Sequence, residues 1–347
     1  MPARFSDPRE DEMAESVRTG SANRTQRNDT QRRAAARHII ASLIDTLDAA
    51  LSTDREALEL AVMTLAAGGH LLLEDVPGIG KTTLARALAA AIQGDVSRIQ
   101  FTPDMLPSDI TGVSVFNQRE QQFTFYKGPI FAQIVLADEI NRANPKTQAA
   151  LLEAMEEKRV TVDGTTYDLP RPFTVIATQN PIEMEGTYPL PEAQLDRFMC
   201  RISLGYPHPQ AEARMLMAPS GRDPLAGMKP LCTTRDILAI TDTAAHIHVA
   251  PAIASYAVAL LAATRESPLT RLGASPRAGL ALLAMSRVRA LVHGQDAVYP
   301  GDVRAMAPAV LAHRIVFSDA TVGAGALAHQ QELLERILRD VPAPRRA

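Results

Sequence analysis

Residues 71–91 read LLLEDVPGIGKTTLARALAAA: a short apolar run, a glycine turn, then an Ala/Leu-rich helical pattern. The run suits a parallel strand buried on both faces, and the helix closes at Gly94. Strand, glycine loop and helix in that order suit one ligand chemistry above others. Gly78 and Gly80 let the backbone curl so that its N–H groups point into one concavity, and the helix from Lys81 adds its positive end. The phosphate-loop pattern G-x-x-x-x-G-K-[ST] is met from Gly80 through Lys81 to Thr82, but its first glycine slot holds Asp75. Within Pro77, Gly78, Ile79, Gly80, Lys81, Thr82 and Thr83, Lys81 is placed to reach β- and γ-phosphates and the Thr82 hydroxyl to hold Mg²⁺. The alternative is a glycine turn followed by a chance Lys-Thr.

Further strands are expected at 97–102, 134–139, 174–180 and 200–206, with helices at 34–51, from Ser52 or Thr53 to Gly68-Gly69, at 145–157 and around 191–198. Strands alternating with helices predict an α/β fold with a parallel sheet. Two connections depart from that rule. Residues 113–129 and 159–170 alternate as β-hairpins, the second turning at Asp163-Gly164. From Pro207 the pattern turns helical, at 209–218, 233–248, 251–266, 276–293 and 300–315. The expected organisation is therefore a polar tail over 1–33, an α/β nucleotide-binding domain over 34–206 and an all-helical lid domain over 207–347.

Composition narrows the function classes. Aromatics are 4% with no Trp, which disfavours an aromatic-cored β-fold, and two cysteines, Cys200 and Cys232, exclude a disulfide framework or a Cys-rich metal centre. A net charge of −3 argues against bulk nucleic-acid binding. Residues 1–33 are too polar to pack and read as a solvated, disordered tail without an export signal. With no membrane span in sight, a cytoplasmic protein is expected.

In the second chemical block, Ile134-Val135-Leu136-Ala137 leads to Asp138-Glu139. A buried strand here delivers two carboxylates to a sheet edge. Asp138 is placed to orient the Mg²⁺ shell and Glu139 to polarise an attacking water. Such tracts are common singly; downstream of Lys81 the pair gains meaning. The His246-x-His248 pair lacks companion ligands and reads as a helix end.

The blocks LLLEDVPGIGKT (71–82), FTPDMLPSDITG (101–112), KGPIFAQIVLADEINRANPKTQAALLEAMEE (127–157), ATQNP (177–181), GTYPLPEAQLDRF (186–198) and GASPRA (273–278) together resemble the MoxR group of AAA+ ATPases. The resemblance spans about residues 38–315. It implies a P-loop NTPase core with hairpin insertions and a helical lid, binding ATP and Mg²⁺ in a homo-oligomeric, hexameric ring. It also implies residue assignments. Asn180 resembles the sensor-1 residue that positions water, or is a turn-former before Pro181. Arg197 resembles an arginine finger offered to the neighbouring subunit, or is a structural arginine beside Asp196. Arg277 resembles sensor 2 in the lid, touching the γ-phosphate. Arg142 is a weaker interface candidate. The hairpins match insertions that face a pore or partner, with Phe116, Phe123, Phe125 and Tyr126 on the first. Such relatives act on client protein complexes, often with a von Willebrand factor A domain partner. A magnesium-chelatase-type motor subunit, an ATP-gated scaffold and a helicase are the alternatives.

Overall fold

The computed structural model describes residues 8–51, 53–75, 78–179, 187–206, 209, 212–213, 217, 225–318 and 326–344, with side chains from residue 28 onward. Five strands form one parallel sheet: β1 (Leu71–Glu74), β2 (Val96–Gln100), β5 (Ile134–Asp138), β8 (Thr174–Gln179) and β9 (Cys200–Ile202), in the order β2-β5-β8-β1-β9. β8 is the central strand, β1 lies between β8 and β9 with Glu74 opposite Gln179, and β5 runs beside β2 with Asp138 opposite Gln100. The carboxyl ends of β1, β5 and β8 therefore share one edge, where open α/β sheets bind ligands.

The two-residue strand period divides the core into two layers. Leu71, Leu73, Leu136 and Ile176 join one cluster with α1 (Pro8–Ala50), α2 (Arg55–Ala66) and α3 (Lys81–Ala91). Leu72, Val135, Ala137 and Val175 face the other, with α5 (Pro145–Glu157) supplying Leu151, Leu152 and Met155. The first cluster continues into the helices α7 (Thr234–Ala245), α8 (Pro251–Glu266), α9 (Pro276–Val292) and α10 (Pro300–Leu311). Lid and sheet thus share a core across residue 206, beside the incompletely described 207–224.

Both expected hairpins form. β3 (Gly112–Asn117) pairs antiparallel with β4 (Gln122–Lys127), and β6 (Arg159–Val162) with β7 (Thr165–Asp168). The second turns through Asp163 at φ 49° and Gly164 at φ 78°, the left-handed pair that a two-residue turn requires. A short helix, α4 (Pro107–Thr111), leads into β3.

Several expectations are corrected. The backbone is helical from Pro8, and Arg33 pairs with Asp296 at 2.8 Å, where the sequence led to a polar tail over 1–33. Helix propagates from the packed segment at Ala36, Ile40 and Leu43, because adding a residue to an existing helix costs far less than nucleating one. α2 starts at Arg55, slightly later than the expected Ser52 or Thr53, with Asp54 as the cap that accepts from the Glu56 N–H. The lid is not all helix. β10 (Thr270–Leu272) and β11 (Val316–Phe317) form a small antiparallel ribbon there. Ahead of the lid, α6 (Glu192–Leu195) is only one turn where a helix around 191–198 was expected. A final helix, α11 (Ala326–Leu338), buries Leu333, Leu334 and Leu338, a helical spacing that the sequence reading passed over.

Candidate functional site

Gly78 and Gly80 adopt φ 90° and 95°, and a Cβ at either would meet nothing within 4 Å. Their purpose is conformational, since a side chain at this φ is strained however much room it has. Gly80 is the N-cap of α3, with no side-chain cap and no acidic residue in the first turn. Lys81 is nearly buried, and its ammonium donates to the Asp75 carbonyl at 3.0 Å. An uncapped positive helix end beside a buried ammonium held by a neutral carbonyl fits a phosphate group. Ile79 packs against the first core cluster, while Thr82 and Thr83 are half-buried in the first turn of α3. Pro77 lies outside the described residues.

Asp75 explains the break in the glycine pattern. Its carboxylate accepts from the Ser203 hydroxyl at 2.6 Å and from the buried Leu204 N–H at 2.7 Å. The loop is thereby stapled to the end of β9, a use that glycine could not supply. Next to it Glu74 pairs with buried Arg201 at 2.9 Å, and Arg201 also donates to Gln330 of α11. Burial lowers the Arg201 pKa against the opposing pull of Glu74.

At the tip of β5, the Thr178 hydroxyl donates to Asp138 at 2.7 Å and accepts the Glu139 N–H at 2.8 Å. The other Asp138 oxygen is held by Arg98, at 2.7 Å from Nη2. Glu139 sits at φ 57°, ψ 50°, in the left-handed region that a non-glycine residue enters at a cost. Its carboxylate accepts from the Gln100 amide at 3.0 Å and pairs with Arg142 at 2.9 Å. Two oriented carboxylates therefore stand at the same sheet edge as the glycine loop. Asn180, one residue past Gln179, lies outside the described residues.

The two remaining candidates converge. Arg197 pairs with one oxygen of Glu156 at 3.0 Å, and Arg277 with the other at 3.1 Å. Around them the lid grips the LDRF segment. The Ser275 hydroxyl donates to Asp196 at 2.9 Å and also caps α9 by accepting the Ala278 N–H. Arg314, its pKa pushed down to about 10 chiefly by burial, donates to the Phe198 carbonyl and pairs with Asp196 at 3.1 Å. Sequence reasoning missed Arg98, Gln100, Glu156, Thr178, Ser203 and Arg314. Glu156 and Thr178 lie within the blocks 127–157 and 177–181, whose spacing gives neither a role, and the other four stand outside any motif.

The buried singletons are structural. His70 accepts from the Val175 N–H at 3.0 Å through Nδ1, leaving Nε2 to donate to the Met155 carbonyl, and burial lowers its pKa to about 4. Cys200 is fully buried, its thiol pushed up to about 12, and Cys232 to about 11. His246 is exposed and caps α7, as expected for a helix end. Among the described residues no cluster of three His, Cys, Asp or Glu side chains could hold a metal alone; one hydroxyl and one carboxylate, Thr82 and Asp138, suit a Mg²⁺ ion whose remaining positions are filled by water and phosphate oxygens.

Two family models match the chain: ATPase family associated with various cellular activities (AAA) over residues 70–200, and AAA lid domain over 262–337. The Mycobacterium tuberculosis protein Chaperone MoxR1 is 42% identical over 301 residues, 83% of this chain and 78% of that one. Protein MoxR of Methylorubrum extorquens is 32% identical, covering 88% of this chain and 98% of its own length. The chain belongs to the MoxR family of AAA+ ATPases. A crystal structure assigned as an ATPase from Cytophaga hutchinsonii superimposes with a TM-score of 0.82 at 35% identity, covering 92% of this chain and 99% of that one. The sheet, hairpins and lid described above are thus the AAA+ core and lid of this family. No helix among the described residues is long and apolar enough to cross a membrane.

Proposed function

We propose that this MoxR-family protein hydrolyses ATP within a homo-oligomeric ring and uses the resulting motion for chaperone-like assembly or activation of a protein complex. The observation that carries the reading is the loop at Gly78–Lys81, anion-ready and uncapped, on the edge that also presents Asp138 and Glu139. Lys81 and the N–H groups of α3 bind the phosphate charge. Thr82 and Asp138 would hold Mg²⁺, which when bound neutralises phosphate oxygens and orients the phosphate chain. Glu139, steadied by Gln100 and Arg142, accepts the proton of the attacking water. Arg197 serves the nucleotide of the neighbouring subunit; Arg277, held beside it at the sheet edge away from Gly78–Lys81, contributes to a γ-phosphate from the lid across the same subunit boundary, and Asn180 positions the water. A hexamer follows the family habit, and an in-trans arginine makes sense only in an assembly.

The hairpins suit contact with a client or partner. Val113, Val115, Phe116, Phe123 and Tyr126 are exposed, and Phe125 stacks on Tyr167 with centroids 4.2 Å apart, so that the two hairpins lean on each other. The name of the mycobacterial relative supports a chaperone function, and we place the protein in the cytoplasm with a von Willebrand factor A domain protein as its partner. Turnover of ATP by the wild type, Lys81→Ala and Glu139→Gln tests the mechanism. Both variants are expected to lose turnover by two orders of magnitude or more, Glu139→Gln while still binding ATP. Equal rates in all three proteins would sink it.

A further inference from the structure

One carboxylate holds both of the arginines that the proposed reaction sends to phosphate. Glu156 stands in the last turn of α5, with Oε2 3.0 Å from Arg197 and Oε1 3.1 Å from Arg277. Arg197 belongs to the sheet-bearing region and Arg277 to the first turn of α9 in the lid, 80 residues further along the chain, so this side chain joins two bodies. The charge balance is uneven. Among the described residues, Arg197, Arg277 and Arg314 pair with two carboxylates, Glu156 and Asp196, so three guanidinium groups share two anions. Each guanidinium needs an anion at this spacing, because two bare cations so close repel. In the structure that anion is Glu156. Both arginines stand at the amino-terminal edge of the sheet, where Met155 beside Glu156 meets His70, so under the reading above a phosphate that takes either of them comes from a neighbouring subunit and has to displace Glu156.

We propose that Glu156 is a positioning residue that parks Arg197 and Arg277 together and competes with nucleotide phosphate for them. The proposal rests on the ATPase reading of this site. At least one of the two ion pairs opens when a phosphate takes its arginine, and it closes again when the phosphate leaves. The geometry favours a reversible contact over a structural one. The side chains of Glu156 and Arg277 are 41% and 43% exposed, so water can replace each partner as it leaves. Asp196, in contrast, is held by Arg314 and Ser275 and keeps the LDRF segment on the lid while Glu156 lets go. Two residues beyond Glu156 the chain turns at Lys158, φ 55°, directly into β6, which puts this contact at the root of the second hairpin.

The test uses the full-length protein and its Glu156→Gln and Glu156→Asp variants. Affinity for a fluorescent ATP analogue, the KM and kcat of ATP turnover and the thermal midpoint are measured for each. Removing the competing charge is expected to tighten nucleotide binding and lower KM about twofold to fivefold, the worth of an exposed ion pair, with a smaller change in kcat. Glu156→Asp returns KM toward the wild-type value, and the gain vanishes in an Arg197→Ala/Arg277→Ala background. A Glu156→Gln protein with unchanged or weaker binding overturns the proposal, and so does a lowered thermal midpoint with KM untouched. Wild-type protein that binds and turns over ATP beside an unresponsive Glu156→Gln removes only the parking role. Wild-type protein that binds no ATP removes the ATPase reading and the proposal together.

Discussion

Asp75 occupies the slot where the phosphate-loop pattern calls for glycine, and its replacement measures what the departure is worth. In Asp75→Ala the Ser203 hydroxyl and the Leu204 N–H lose a carboxylate acceptor at 2.6 and 2.7 Å. A hydrogen bond to a charged group contributes about 1.5–3 kcal/mol. Ser203 is at a half-buried contact and regains a water, so its share falls at the low end. The buried Leu204 N–H is left without a partner, so its share falls at the high end. Because the two bonds share one side chain they do not simply add, and a loss of about 3 kcal/mol is expected. Asp75→Gly, which restores the strict motif, should cost roughly 0.5–1 kcal/mol more through backbone entropy. The Asp75 carbonyl that holds Lys81 is retained in every variant, so nucleotide affinity should move far less than in Lys81→Ala. Urea unfolding followed by circular dichroism and by tyrosine fluorescence gives the stability, and a fluorescent nucleotide gives the affinity. A double-mutant cycle with Ser203→Ala should report a coupling of about 1 kcal/mol. If Asp75→Gly is as stable as the wild type to within ~0.5 kcal/mol, the staple argument is wrong.

Three further outcomes are expected. His70 is held neutral with its pKa lowered from 6.5 to about 4, so the unfolded chain takes up a proton there that the fold refuses. That contribution is intact above pH 6.5 and fades as pH falls toward 4, by about 2 kcal/mol between pH 7 and pH 5. Burial depresses the His313 pKa as well and adds loss of the same sign; unfolding curves that are flat over this range would contradict it. Thr178→Val strips a hydrogen bond from Asp138 and an acceptor from the Glu139 N–H. It should lower stability by about 1–3 kcal/mol and kcat by at least tenfold, measured by steady-state turnover. Phe125→Ala removes the stack on Tyr167 and the edge contact with Phe131 from a half-buried ring, and should cost less than the ~3–5 kcal/mol typical of a core aromatic. Partial exposure of the hairpin brings this toward about 1–2 kcal/mol, read as earlier proteolysis between Gly112 and Lys127 while the sheet survives.

Much of the fold was legible locally. The apolar runs at 71–74, 134–138 and 174–179 became central strands, the alternating segments became hairpins, and Pro145–Glu157 and Pro251–Glu266 became helices with the expected bounds. Local rules failed where a short element depends on a distant partner. The ribbon of Thr270–Leu272 with Val316–Phe317 pairs segments more than 40 residues apart and has too few residues to show a period. The polar stretch before Arg33 offered no apolar face, so its helical backbone could be seen only as the continuation of a packed helix.

By itself the sequence determined the parts whose chemistry is written in adjacent residues: the loop from Gly78 to Thr82, the Asp138-Glu139 tip, and the arginines in LDRF and SPRA. Glycine dihedrals, strand period and helix caps act over a few residues, so a linear reading can find them. The tertiary structure alone decided what holds those parts in place. Asp75 meets Ser203 across 128 positions, Gln100 meets Glu139 across 39, and Arg277 meets Glu156 across 121. Ion pairs and side-chain hydrogen bonds act over about 3 Å, and the folded sheet and lid choose which residues come that close.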